Sequence, residues 1–210
     1  MSPRAYKSPL RDAAASATRG RIITAAAAIL GAADGIGKFS LDAVAKKAGV
    51  TRLTVYNQFG SRRALMEAVF DERAARGGLF RIGEAMQDPD PRSALLRVIG
   101  IFCDFWNSDP GTMRLLHAAG ASDAEFAESV HERNERRRNV LSAVVRRLAA
   151  GRAPPPRALG NLVDVLFALT SFAFFSQLKT GKRTAEAVSR IIEEMAMDAV
   201  NRELQRSPEP

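Results

Sequence analysis

The chain has 210 residues, 46% of them hydrophobic and 26% charged, which supplies a packed core and excludes wholesale disorder. A lone cysteine, Cys103, excludes an intrachain disulfide framework and suits a reducing compartment. The net charge of +8 is uneven: residues 1–63 carry 11 Lys/Arg against 3 Asp/Glu, residues 64–210 carry 20 of each, and the basic end points to a polyanionic partner.

Residues 1–17 hold two prolines and no apolar periodicity, and predict a flexible basic arm. From Thr18 onward Ile22, Ala26, Ile29, Leu30 and Ala33 share a helical face. Asp34, Gly35 and Gly37 break that helix. Ser40 is an N-cap for a second helix with Leu41, Val44, Ala45 and Ala48 as one buried stripe, and Asp42 sits in its first turn, where the helix dipole favours an anion. Gly49 ends it. Thr51 caps a short third helix to about Phe59, with Val50 and Val55 placed as a hydrophobic staple. Gly60 stops this helix and Ser61 caps the next. Two short capped helices joined by a glycine turn are the sequence form of a helix-turn-helix.

Residues 61–86 read as one long amphipathic helix ended by "DPDP" (88–91). The next helix, about 92–107, puts Leu95, Val98, Ile99, Phe102 and Trp106 in register and breaks at "SDPG" (108–111). A short helix brings Met113, Leu116 and His117 together, and another runs from about Ser122 to Ala150. On the latter Glu132, Arg133, Glu135 and Arg136 predict charge pairs along a solvated face. Prolines 154–156 are a hard stop. Residues 157–178 are apolar almost all round, and 184–204 carry Val188, Ile191, Ile192, Met195 and Ala199. With no β-like alternation, the fold class expected is all-α. The longest strongly apolar run, 165–175, has 11 residues against the ~20 a membrane span needs, and the apolar stretch at 22–33 follows too long a polar lead for a signal peptide. A cytoplasmic protein without a membrane partner is expected.

On the helix that Thr51 caps, Val55 and Phe59 turn inward with Val50 and Leu53 nearby, leaving Arg52, Thr54, Tyr56 and Asn57 on the outer side. A helix of this size fits the major groove of B-DNA. Arg52 can reach a guanine edge or a phosphate, Thr51 and Thr54 offer hydroxyls, and Tyr56 and Asn57 suit either target. The helix starts at Ser40 and Ser61 present amides to phosphates. Arg62 and Arg63 place cations at a helix N-terminus, which the dipole disfavours unless an anionic partner is present. The DNA-binding candidates are therefore Ser40, Thr51, Arg52, Leu53, Thr54, Tyr56, Asn57 and Arg62. An enzyme is not expected: there are two His fourteen residues apart, and no metal-spaced His/Cys set, GxSxG or glycine-rich phosphate loop. No catalytic residue, metal or cofactor is assigned. A helical module that binds polyanions without reading sequence is the competing class, and selectivity among duplexes separates the two.

Residues 18–70, "TRGRIITAAAAILGAADGIGKFSLDAVAKKAGVTRLTVYNQFGSRRALMEAVF", resemble the DNA-binding region of the TetR (tetracycline-repressor-like) family. The likeness rests on the Thr-Arg opening of the first helix, on "AGV" plus a hydroxyl before the third, on Tyr56 and Phe59 in an "xYxxF" pattern, and on a capping Ser before a basic residue. Asn57 stands where His is commoner, and Gly60 where Pro or another residue is common. The resemblance implies a homodimer with a helix-turn-helix domain (18–63) and a helical ligand-binding and dimerisation domain (64–210). Each subunit would place residues 51–57 in a major groove of a near-palindromic operator, and a small molecule would release the DNA. Repression is the typical activity and activation a minority one. It also implies an interface at the last two long helices, for which Leu166, Leu169, Phe172, Ala173, Ile192, Met195 and Ala199 are candidates; burial within one subunit is the alternative. Phe102, Phe105, Trp106, Met113 and His117 are candidates to line a pocket for an apolar or aromatic ligand, and the same stripe also suits plain core.

Overall fold

The computed structural model describes residues 9–32, 35–122, 124–152 and 155–205, and these are all-α, without a strand among them. The first eight residues of the expected arm, with Ala33 and Asp34, lie outside the described residues. Helix α1 (Pro9–Leu30) opens well before the expected Thr18. A proline suits the first helical position, and the alanine-rich stretch behind it has high helix propensity without any apolar stripe. Residues 13–17 are accordingly helical and exposed; apolar periodicity marked only the buried part. A single turn, α2 (Gly35–Lys38), occupies the glycine-rich break.

Helices α3 (Leu41–Ala48), α4 (Arg52–Phe59) and α5 (Arg62–Arg76) start at side-chain caps. Ser40 Oγ accepts from the Ala43 N–H at 3.1 Å, Thr51 Oγ1 from Thr54 at 3.1 Å, and Ser61 Oγ from Ala64 at 3.0 Å. Gly49 closes α3 in the left-handed region (φ 66°), a conformation that disfavours any side chain.

The helix expected over 61–86 breaks at Gly77 and Gly78, and the chain continues as a short 3₁₀ turn and α6 (Ile82–Ala85). Gly78 takes the left-handed region (φ 77°), and a Cβ on Gly77 would lie 2.7 Å from Phe105 Cα, so both positions suit glycine. Asp90 caps α7 (Pro91–Ser108), its carboxylate accepting from the Arg92 and Ser93 N–H groups at 3.1 and 3.0 Å. Helices α8 (Pro110–Ser122) and α9 (Ala124–Leu148) follow.

The apolar segment 157–178 is two helices, α10 (Pro156–Leu169) and α11 (Phe172–Leu178), bent by 55°. Thr170 and Ser171 make the corner. Thr170 Oγ1 donates to the Leu166 carbonyl at 2.8 Å, and Ser171 Oγ accepts from the Phe174 N–H at 3.1 Å. Side chains from elsewhere take the carbonyls that the break frees: Trp106 Nε1 donates to Thr170 O at 2.9 Å, and Arg137 Nη1 to Phe167 O at 3.0 Å. The last helix is α12 (Ala185–Gln205).

Helix α7 lies at the centre, against α5, α6, α9, α11 and α12. Its Leu95, Val98 and Ile99 are fully buried in a core that is continuous from Ile22 on α1 to Leu204 on α12. Helix α5 touches α1 on one side and α7 and α9 on the other, so it ties the N-terminal helices to the body. No single described helix is long and apolar enough to cross a membrane; α10 and α11 approach that composition only as a bent pair.

Candidate nucleic-acid interface and cavity

Helix α4 sorts its residues sharply. Val55 and Phe59 are buried, whereas Arg52, Leu53, Tyr56 and Asn57 are exposed, Leu53 by 65% and Tyr56 by 57%. Large apolar surface left in water on a short capped helix suits contact with a groove, where thymine methyls offer an apolar partner. Thr54 is half-buried, its hydroxyl 2.9 Å from that of Thr51. Arg52 Nη1 lies 3.1 Å from Asp42 Oδ2, and both side chains are about two-thirds exposed, so the pair is weak and exchangeable.

Two other cations fix this helix. Arg19 on α1 donates to Gln58 O at 3.0 Å and lies 4.3 Å over the Phe59 ring, a cation at the negative end of α4. Arg62 donates from Nε to Phe39 O at 3.3 Å, its guanidinium 5.6 Å above the Phe39 ring. Arg63 pairs with Glu67 at 2.9 Å and with Glu128 at 3.6 Å. The cations at the start of α5 therefore have partners inside the fold, and their placement does not by itself require an external anion.

A cavity of about 250 Å³ opens among α5, α7, α8 and α9. Its apolar wall includes Phe70, Phe102, Phe105, Trp106, Val130 and Val140; its polar groups are Asp71, His117, Arg133, Asn134, Arg136 and Arg137. The Phe105 and Trp106 rings stand 4.4 Å apart, and His117 stacks on Phe172 at 5.0 Å. Burial, then the Arg137 charge, holds His117 below the usual imidazole range, so the ring is neutral at pH 7, and its buried Nε2 has no hydrogen-bond partner. Burial pushes Arg137 down to about 10, still cationic at neutral pH. Arg133 reaches across to α5, Nη2 lying 2.7 Å from Asp71 Oδ1, with its guanidinium 4.4 Å over the Phe70 ring. Cys103 is buried, and burial pushes its thiol up to about 11, which leaves it protonated.

The charged run on α9 is thus only partly a solvated face. Glu132, Glu135 and Arg136 are exposed, but Arg133 and Arg137 turn inward. The signal was present in the sequence: residues 130, 133, 137, 140 and 144 follow one helical face with Val130, Val140 and Val144. Four-residue pairing of opposite charges competed with that register and concealed it.

Residues 23–69 match the sequence profile of "Bacterial regulatory proteins, tetR family". The stretch from α1 to α5 is thus similar to the DNA-binding region of TetR-family regulators. It is similar to the HTH-type transcriptional regulator EthR of Mycolicibacterium smegmatis, with 36% identity over 93 residues. That match covers 43% of the chain and 42% of the relative's length. Among solved structures, a TetR-like transcriptional regulator from Rhodococcus sp. RHA1 superposes with a TM-score of 0.69 at 18% identity, over 88% of this chain and 96% of that one. The TetR family transcriptional regulator PfmR from Thermus thermophilus gives 0.66 at 19%, over 89% and 100%. At such identities these structures speak for the fold.

Of the residues expected to line a pocket, Phe102, Phe105, Trp106 and His117 line the cavity, while Met113 is fully buried in the core beside them. Arg133, Asn134, Arg137 and Asp71 were missed as lining residues. Five of the seven expected interface residues sit inside the protomer: Leu166 and Ile192 are fully buried, and Leu169, Phe172 and Ala199 nearly so. A side chain without exposed surface has none to offer a second copy. Helix α10 packs on α9 and α12, and α11 and α12 pack on α7, which covers these faces within the protomer. Ala173 and Met195 remain outside, Met195 43% exposed.

Proposed function

We propose that the protein is a ligand-responsive transcriptional regulator, most simply a repressor, which binds a near-palindromic duplex as a homodimer. Arg52, Leu53, Tyr56 and Asn57, held outward on α4 by the buried Val55 and Phe59, are the observation that carries this reading. They would meet base edges and sugar-phosphate in the major groove, with Thr51, Thr54 and the Ser40 helix start on the flanking backbone. Arg62 acts from within the fold, by fixing the loop at Phe39.

The outer faces of α10 and α12, with Ala168 and Met195 exposed and Ile191 half-buried, are the surface assigned to the second subunit. The cavity is assigned to the effector. Asp71 and Arg133 link its wall to α5, and α5 begins next to α4, so a ligand that disturbs this pair would move the reading head. Nothing in this scheme requires a catalytic group.

Selection of bound duplexes from a random library tests the proposal. A regulator enriches one near-palindrome whose half-sites lie about 34–36 Å apart, or a multiple of that, and binds it with two subunits. Enrichment of no sequence would leave a polyanion binder instead.

A further inference from the structure

Arg137 is the feature that the apolar walls of the cavity leave unexplained. It is 8% exposed, and a buried guanidinium is normally compensated by a carboxylate. Among the described residues it has no ion-pair partner. It donates to three neutral oxygens: Phe167 O at 3.0 Å, Thr170 Oγ1 at 3.2 Å and Asn134 Oδ1 at 3.3 Å. Its neighbour Arg138 is another cation, already paired with Asp164 at 2.5 Å. One turn earlier Arg133 is held by Asp71, yet its Nε is buried without a hydrogen-bond partner. From α8, His117 brings the unpartnered Nε2 to the same cavity. The lining thus holds three arginines against one carboxylate, Asp71, with two unsatisfied nitrogens. An unsatisfied buried polar group is costly, more so when charged, and an anionic ligand would offset that cost.

We propose that the cavity takes a small organic carboxylate, its head group paired with Arg137 and Arg133 and its apolar body packed against Phe102, Phe105 and Trp106. This rests on the effector reading and names the chemical class of the effector. The planar guanidinium fork matches a carboxylate in bidentate geometry. The volume limits the body: about 250 Å³ corresponds to roughly eight water molecules at ~30 Å³ each, which fits one aromatic ring or a medium acyl chain. A neutral isostere fills the same space and leaves Arg137 uncompensated, so charge discriminates.

Trp106 is the chain's only tryptophan and lines the cavity, so intrinsic fluorescence reports occupancy. The probes are benzoate, phenylacetate and octanoate, each beside its primary amide, titrated into the full chain with calorimetry in parallel. At least one acid is expected to bind saturably, about tenfold or more tighter than its amide, the ratio of roughly one charge-assisted hydrogen bond over a neutral one. Arg137→Met is expected to level the pair and Arg137→Lys to restore part of the difference. Should Arg137→Met fail to fold, the acid-to-amide ratio of the unaltered chain decides. Amides that bind as tightly as acids overturn the carboxylate assignment and leave the effector reading in place. An acid that binds with the expected preference but leaves duplex affinity unchanged upholds the assignment and sinks the effector reading. No saturable binding by any of the six compounds overturns the carboxylate assignment and leaves the effector reading in place.

Discussion

Arg52 and Asp42 form an ion pair across the two helices of the reading head, Nη1 to Oδ2 at 3.1 Å. The pair holds Arg52 in place without DNA, and the same carboxylate would face phosphate when DNA arrives. On the proposed function, docking would exchange Asp42 for a nucleic-acid acceptor, an easy exchange because both groups are solvated. Asp42→Asn is expected to raise affinity for any duplex by up to about fivefold, the scale of a surface ion pair. It should also lower thermal stability slightly, since Asp42 occupies the first turn of α3. Fluorescence anisotropy with labelled duplexes checks the first effect; unchanged or weaker binding contradicts it.

Gly77 and Gly83 make an internal control on packing. A methyl on Gly77 meets Phe105 backbone at 2.7 Å, whereas one on Gly83 meets nothing within 4 Å. Gly77→Ala is expected to cost about 1–3 kcal/mol, in the range of an overpacked core. Gly83→Ala should be neutral or stabilising by up to ~1 kcal/mol, because alanine is the better helix former. Denaturant unfolding separates them, and equal effects would mean that the contact with Phe105 yields freely.

His117 gives the protein an acid-sensitive stability. Its folded pKa lies below the unfolded value of 6.5, so the folded state binds fewer protons than the unfolded chain in acid. The stability it contributes is complete above pH 6.5 and is lost as the pH falls from 6.5 toward the folded pKa. The melting temperature is expected to drop between pH 7.5 and 5.5, and His117→Phe is expected to flatten that drop. Parallel pH profiles for the two proteins would contradict the assignment.

Met195 and Phe172 distinguish surface from core on the C-terminal helices. Met195→Glu is expected to leave the fold intact and to yield monomers in sedimentation, because 43% of that residue is exposed. Phe172→Glu is expected to unfold the protomer, because the ring is buried against Trp106 and His117. A dimeric, stable Met195→Glu protein would move the interface elsewhere.

What was legible in the sequence was local. Ser40, Thr51 and Ser61 cap helices because a short side-chain oxygen reaches an N–H three residues on, and Gly49 ends one because a glycine alone adopts φ 66° cheaply. What was hidden depends on partners distant in the chain. Phe105 leaves no room for a side chain at Gly77, and the corner at Thr170 is held by Trp106 and Arg137. Leu166, Phe172 and Ile192 face inward because α10 packs on α9, α11 and α12, and α11 and α12 pack on α7, which their uniformly apolar surroundings could not foretell. The aromatic side of the cavity followed from the register of α7. Its cationic side did not, because Arg133 and Arg137 sit in a run whose charges also fit pairing along a solvated helix.

The central claim is that the outward face of α4 reads a duplex. Equilibrium binding of the unaltered chain and of Arg52→Ala and Tyr56→Ala, to an enriched duplex and to its scrambled counterpart at one moderate salt concentration, tests it most directly. The unaltered chain is expected to prefer the enriched duplex by ~10³-fold or more, and each variant to lose most of that preference with its helical content and melting temperature unchanged. Equal affinity of the unaltered chain for both duplexes, or variants that keep the full preference, would contradict the account.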